Sequence, residues 1–129
     1  MKQVSRSVGL AFMLLVLVVA CDSGKYGGEA KKGAADAALM APASSAGRME
    51  SDEGVGHYQQ GHWDVAEGHF RKALTADPNL AEAHYNLGLA LDKMGKHEEA
   101  TTAFKKAAEL APTNLAIKDS EILKKHIGM

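Results

Sequence analysis

A chain of 129 residues with 15 basic and 16 acidic side chains has room for one small domain and a targeting segment. Its net charge of −1 becomes −3 once Lys2 and Arg6 are set aside. That leaves neither the basic stripe that nucleic acid requires nor a cationic excess for anionic lipid. The first element, residues 1–20, reads as targeting sequence. "MKQVSR" brings Lys2 and Arg6 with no acid, and "VGLAFMLLVLVVA" then runs apolar for 13 residues to Ala20. A membrane span needs about 20 residues. A shorter run behind a basic start fits a signal-peptide core.

Cys21, the one cysteine, follows directly in "VVAC". A single thiol closes no intramolecular disulfide and builds no thiolate metal cluster. Val18-Val19-Ala20-Cys21 resembles the lipobox of bacterial lipoproteins, with Val18 where Leu is commoner. The resemblance implies cleavage before Cys21 and acylation of that cysteine, palmitate included. Each methylene then buried in the bilayer contributes about 0.8 kcal/mol. Asp22 resembles the residue that retains enteric-type lipoproteins in the inner membrane. The implied location is therefore the cell envelope, lipid-anchored and facing the periplasm or exterior, with the inner membrane favoured.

Residues 21–46 are expected to be the lipidated cysteine and a flexible linker. "DSGKYGGEAKKGAADAALMAPASSAG" has too few large apolar groups to offset the entropy of ordering it. At most a fraying helix forms around "EAKKGAADAALM", and the segment lacks the broad apolar stripe of a membrane-surface helix. Some 25 flexible residues reach on the order of 25–30 Å.

Beyond the linker the chain repeats itself. Gly54 and Gly88, Gly61 and Gly95, Ala66 and Ala100, Phe70 and Phe104, Lys72 and Lys106, Ala73 and Ala107, and Pro78 and Pro112 each stand 34 positions apart. Ala66, Phe70, Ala73 and Leu74 fall at helical spacing, as do Ala100, Phe104, Ala107 and Ala108. Small Ala and Gly let paired helices approach while Phe fills the gap. Pro78 and Pro112 stop the preceding helices, Asn79 and Glu82 suggest a capping box, and Glu98 and Glu99 suit a helix N-terminus. Helices are predicted near 48–60, 64–77, 80–94 and 97–110. The earliest is the weakest, because Glu50 and Glu53 occupy apolar positions and Gly54 and Gly56 each cost about 1 kcal/mol of helix propensity. After Asn114, Leu115, Ile122, Leu123 and Ile127 mark an apolar stripe that would cover the end of an array.

A 34-residue period with Leu87-Gly88, Ala100, Phe104, Ala107 and Pro112 resembles the tetratricopeptide repeat, a helix-turn-helix unit. Two repeats, 47–80 and 81–114, are followed by a C-terminal capping helix in 115–129. The fold implied is all-α, a short α-α superhelix. In such repeats the first helices line a groove that takes an extended peptide or a partner helix. Carried over by register, the groove residues are Arg48, Ser51, Asp52, Val55 and Gln59, then Glu82, Tyr85, Asn86, Leu89 and Lys93. Tyr85 and Leu89 supply apolar area, Asn86 an amide for a peptide backbone, and Lys93 charge. The clamp that some of these repeats close on a chaperone's terminal carboxylate is disfavoured, because Asp52 stands where Asn is needed and Ala116 and Ser120 where basic residues are. The implied function is a membrane-tethered adaptor or scaffold binding protein partners. Alternatives are a self-associating assembly protein, since about three repeats usually stabilise an array, and a small-ligand or metal-binding lipoprotein.

No catalytic motif stands out: GxSxG, P-loop and dinucleotide fingerprints are absent, so no enzyme and no cofactor are expected. His57, His62, His69, His84, His97 and His126 include no i, i+3 or i, i+4 pair. His57 and His84 are expected to pack between helices, the others to be solvated, and no metal site is assigned. Trp63 is read as a packing residue whose counterpart is His97.

Overall fold

The computed structural model describes residues 37–129. The signal segment, Cys21 and the first part of the linker lie outside the described residues. Six helices run in chain order: α1 (Arg48–Gln59), α2 (Trp63–Ala76), α3 (Ala81–Lys93), α4 (His97–Leu110), α5 (Leu115–Lys118) and α6 (Glu121–Ile127). No strand occurs among the described residues. Helix α1 pairs with α2 and α3 with α4, while α2 against α3 joins the two units and α6 closes on α4. This is the two-unit α-α superhelix that the period implies.

The same punctuation is used twice. Gly61 and Gly95 adopt φ of 80° and 76°, the left-handed conformation that glycine reaches without steric cost. Around each, the chain closes a 6→1 bond, His62 N–H to His57 O at 3.0 Å and Lys96 N–H to Leu91 O at 2.9 Å. Asp77 and Ala111, each before a proline, are extended at φ −140° and −133°, because the proline ring crowds a preceding residue out of the helical region. The Asn79–Glu82 capping box does not form. Leu80 is the N-cap of α3 and offers no side-chain bond. Asp77 Oδ1 instead takes the Asn79 N–H at 3.2 Å, and the Glu82 carboxylate is drawn off by Asn114 Nδ2 at 3.2 Å.

Phe70 and Phe104 are fully buried, and each ring lies against a glycine one helix away. A Cβ on Gly54 would stand 2.6 Å from Phe70, and one on Gly88 would stand 2.7 Å from Phe104. Gly54 is therefore a contact surface for Phe70 as well as a weak helix former, which is why α1 forms despite its composition.

The acids of α1 have an equally local reason. Glu50, Glu53, His57 and His69 stand 34 residues before His84, Leu87, Leu91 and Ala103. In the second unit those positions face α2 of the first. In the first unit they lie at the end of the array among the described residues, where a polar surface is required: Glu53 is exposed, and Glu50, His57 and His69 are half-buried. His69 Nδ1 meets Glu50 Oε2 at 2.9 Å and Glu53 Oε2 at 3.4 Å, and its ring stacks on His57 at 5.2 Å. What looked like a defective helix is a terminal face.

Residues 115–127 stand 34 positions after α3, so by register they correspond to the first helix of a third unit. It breaks at Asp119 and Ser120 into α5 and α6, where a single capping helix was expected. Each half carries its own cap: Asn114 accepts from Ala116 N–H and Ser120 from Leu123 N–H. Ile117 and Leu123 are buried against the core.

Candidate functional site

The ten groove positions fall on the shared face of α1 and α3, but most of that face is core. Ser51, Val55, Tyr85, Asn86 and Leu89 are buried, Asp52 and Glu82 half-buried, and Arg48, Gln59 and Lys93 exposed. Tyr85 and Leu89, expected to offer apolar area to a partner, are closed over. The Tyr85 ring packs on Phe104 at 5.7 Å, and its hydroxyl donates to Ser120 Oγ at 3.0 Å, because the third-unit helix lies across it. Ser51 Oγ is buried without a hydrogen-bond partner.

Part of the cover is the linker itself. Residues 37–46, expected to be flexible, run against the repeats with no helical structure. The Asn86 carboxamide grips Leu39 at both main-chain groups: Leu39 N–H donates to Oδ1 at 2.7 Å, and Nδ2 donates to Leu39 O at 2.6 Å. Two residues later, Ala41 N–H donates to Asp52 Oδ1 at 3.1 Å, and Ser45 Oγ donates to Asp77 Oδ2 at 2.7 Å. Ala38 and Leu39 pack on the main core, and Ala41 on Ala73, Leu80 and Ala83. Met40 points away, 60% exposed. The order comes from side chains on helices that start after the linker ends. Periodicity within the linker holds no trace of it.

The opposite face has a different character. Between α2 and α4, with α3 as floor, an open cavity of about 700 Å³ is lined by Leu74, Leu87, Leu91 and Ala103 and rimmed by charge. None of the ten predicted positions reaches it. Beside it Arg71 meets Glu67 at 2.8 Å and Glu99 at 3.0 Å, and Lys96 meets Glu67 at 3.0 Å. Burial by itself would raise the Glu67 carboxyl, but hydrogen bonds from Lys96 and Arg71 together outweigh it and hold the group below its ordinary value. The Glu67 hydrogen bond in turn raises Arg71.

Two histidine corners escaped sequence reasoning, since their members come from separate helices. Tyr58 and Trp63 make an edge-to-face pair at 4.9 Å in the first unit. Their counterparts 34 residues on are Asp92 and His97, and α6 adds His126 there. Asp92 Oδ1 takes both imidazoles, His97 Nδ1 and His126 Nε2, at 2.9 Å each. Thr101 Oγ1, which donates to His97 O, fixes His126 through Nδ1 at 2.9 Å. Burial pushes the Asp92 carboxyl up, and the hydrogen bonds from His126 and His97 bring it below its ordinary value. This trio, and Glu50, Glu53 and His69 at the other end, place three donor atoms each within 4.8 Å and are the described side chains able to surround a cation. His69 and His126, expected to be solvated, are largely enclosed (side chains 17% and 10% exposed).

Stacked helix hairpins with a continuous inner face and an amide on that face define a helical-repeat protein. The tetratricopeptide repeat family matches residues 81–114, and a second repeat profile of the same kind matches residues 56–95. Together the two matches cover residues 56–114, which carry tetratricopeptide repeats. The first turns of α1 lie outside both matches, as Glu50 and Glu53 would lead one to expect. The chain is also similar to Protein O-mannosyl-transferase Tmtc2 of Drosophila melanogaster, 39% identical over 64 residues, 49% of this chain and 7% of that protein. It therefore spans a small fraction of that relative's length. Among the described residues no helix is long and apolar enough to cross a membrane.

Proposed function

We propose that this protein is an adaptor of the bacterial cell envelope, held to the membrane by lipid on Cys21 and binding an extended segment of a partner protein along the α1–α3 face. Tetratricopeptide repeats support protein–protein interaction as its role. The observation that carries the binding mode is the Asn86 carboxamide, which already holds both main-chain groups of an extended residue. Arg48, Gln59 and Lys93 line the same face where it is open to solvent, and the Asp52 carboxylate accepts a second main-chain N–H. The tether rests on the basic start, the apolar run of 13 residues and the lone Cys21.

The test is crosslinking in the native membrane from a photoreactive residue at Gln59 or Lys93, exposed positions whose replacement spares the core. A discrete crosslinked protein at both positions supports the adaptor, and none at either removes it. Cys21→Ser is expected to shift the chain from the membrane to the soluble fraction, and an unchanged distribution would refute lipid anchoring.

A further inference from the structure

We infer that residues 38–41 are a resident ligand of the α1–α3 groove, and that the partner segment is chemically like them: extended, uncharged, and carrying an apolar side chain two residues before an alanine-sized one. This rests on the groove being the partner site. Three features of the contact point to it.

Recognition runs through the main chain. Asn86 takes the N–H and O of Leu39, and Asp52 takes the N–H of Ala41. A clamp of this kind holds any extended chain of suitable shape, from this molecule or another. The side chains add the selection. Leu39 and Ala41 face the repeats with Ala38 packed alongside, while Met40 between them faces solvent, so across 39–41 the side chains alternate as in a bound strand. Ala41 is 8% exposed against Ala73, Leu80 and Ala83, so a larger residue there has no room.

Finally, the resident is held by few contacts in a short segment. Three hydrogen bonds and the side chains of Ala38, Leu39 and Ala41 hold it, and it is joined to α1 by the short connection from Ala41 to Arg48. Such a tether gives an effective concentration on the order of millimolar. A partner segment must outcompete that concentration, so groove affinity in the intact chain is set by how well the partner beats residues 38–41.

The probe is a fluorescent peptide of residues 36–43, DAALMAPA, read by anisotropy against the full-length chain. Leu39→Asp with Ala41→Glu should eject the resident and raise peptide affinity at least about tenfold over the intact chain. Adding Asn86→Ala to that variant should abolish binding. A second route leaves both surfaces untouched: inserting ten Gly/Ser residues between Ala43 and Ser44 dilutes the resident and should give an intermediate affinity. Equal, or absent, peptide binding by the intact, substituted and lengthened chains, all with native helix content, would overturn the inference. So would a dimer of the intact chain that the double substitution dissolves, since the segment would then occupy a neighbour's groove. Failure here is separable from failure of the adaptor reading. If only the resident-ligand idea is wrong, crosslinking at Gln59 and Lys93 persists and is unaffected by Leu39→Asp with Ala41→Glu. If only the adaptor reading is wrong, the peptide results hold and the crosslinks are missing.

Discussion

Gly88→Ala should destabilise the protein, although alanine is the better helix former. A Cβ at this position would lie 2.7 Å from two ring carbons of Phe104 and 2.9 Å from a third, where carbon atoms prefer about 3.5–4.0 Å. The ring would have to withdraw by roughly 1 Å. It is fully buried, with His126 at 5.1 Å and Tyr85 at 5.7 Å between centroids, so it has nowhere to go without moving both. Overpacking of this kind costs about 1–3 kcal/mol, against a propensity gain of about 1 kcal/mol. The net loss, up to about 2 kcal/mol, corresponds to a fall in Tm of up to about 15 °C for a domain of this size. Gly56→Ala is the control. Nothing lies within 4 Å of its added Cβ, so only the gain remains and Tm should rise by several degrees. Thermal unfolding followed by circular dichroism reads both. A Gly88→Ala protein at least as stable as the parent would refute the packing of Phe104 on α3.

Other consequences can be measured on the same preparation. Ser51→Ala removes a buried hydroxyl that has no partner and should raise stability by about 1 kcal/mol, and a loss in denaturant unfolding would mean that the hydroxyl is bonded. Asp92 and Glu67 are held below their ordinary values, so the unfolded chain binds their protons more readily. Their contribution is present above the unfolded carboxylate range and lost as pH falls through the lowered native values, below about pH 4. The drop in Tm between about pH 6 and about pH 3 should be shallower in Asp92→Asn with Glu67→Gln than in the parent, and parallel curves would contradict the assignment. Asn86→Ala removes both hydrogen bonds to Leu39 and should expose the bond after Met40 to protease; unchanged cleavage would mean that other contacts suffice.

The repeat, its turns and the membership of the inner face were legible because a fixed 34-residue interval carries each position's environment from one unit to the next. The interval also explains where reading failed. Glu50, Glu53 and Gly54 looked like defects because a sequence does not show which unit is terminal and which side chain a glycine must admit. Tyr85 and Leu89 hold groove positions by register, yet the third-unit helices and the linker close over this face, and neither of those neighbours leaves a mark within the two repeats. The docking of Leu39 on Asn86 spans 47 residues. A stretch of small residues carries no pattern that anticipates an amide so far along the chain. The histidine corners gather from helices that no local spacing connects.

Residue-resolved amide hydrogen exchange at Leu39 tests most directly whether the α1–α3 groove holds an extended chain through Asn86. Its N–H, bonded to Asn86 Oδ1 at 2.7 Å, should exchange well below the rate of an unstructured peptide, and Asn86→Ala should restore that rate with the helices intact. Exchange of Leu39 at the unstructured rate in the unaltered protein would contradict it.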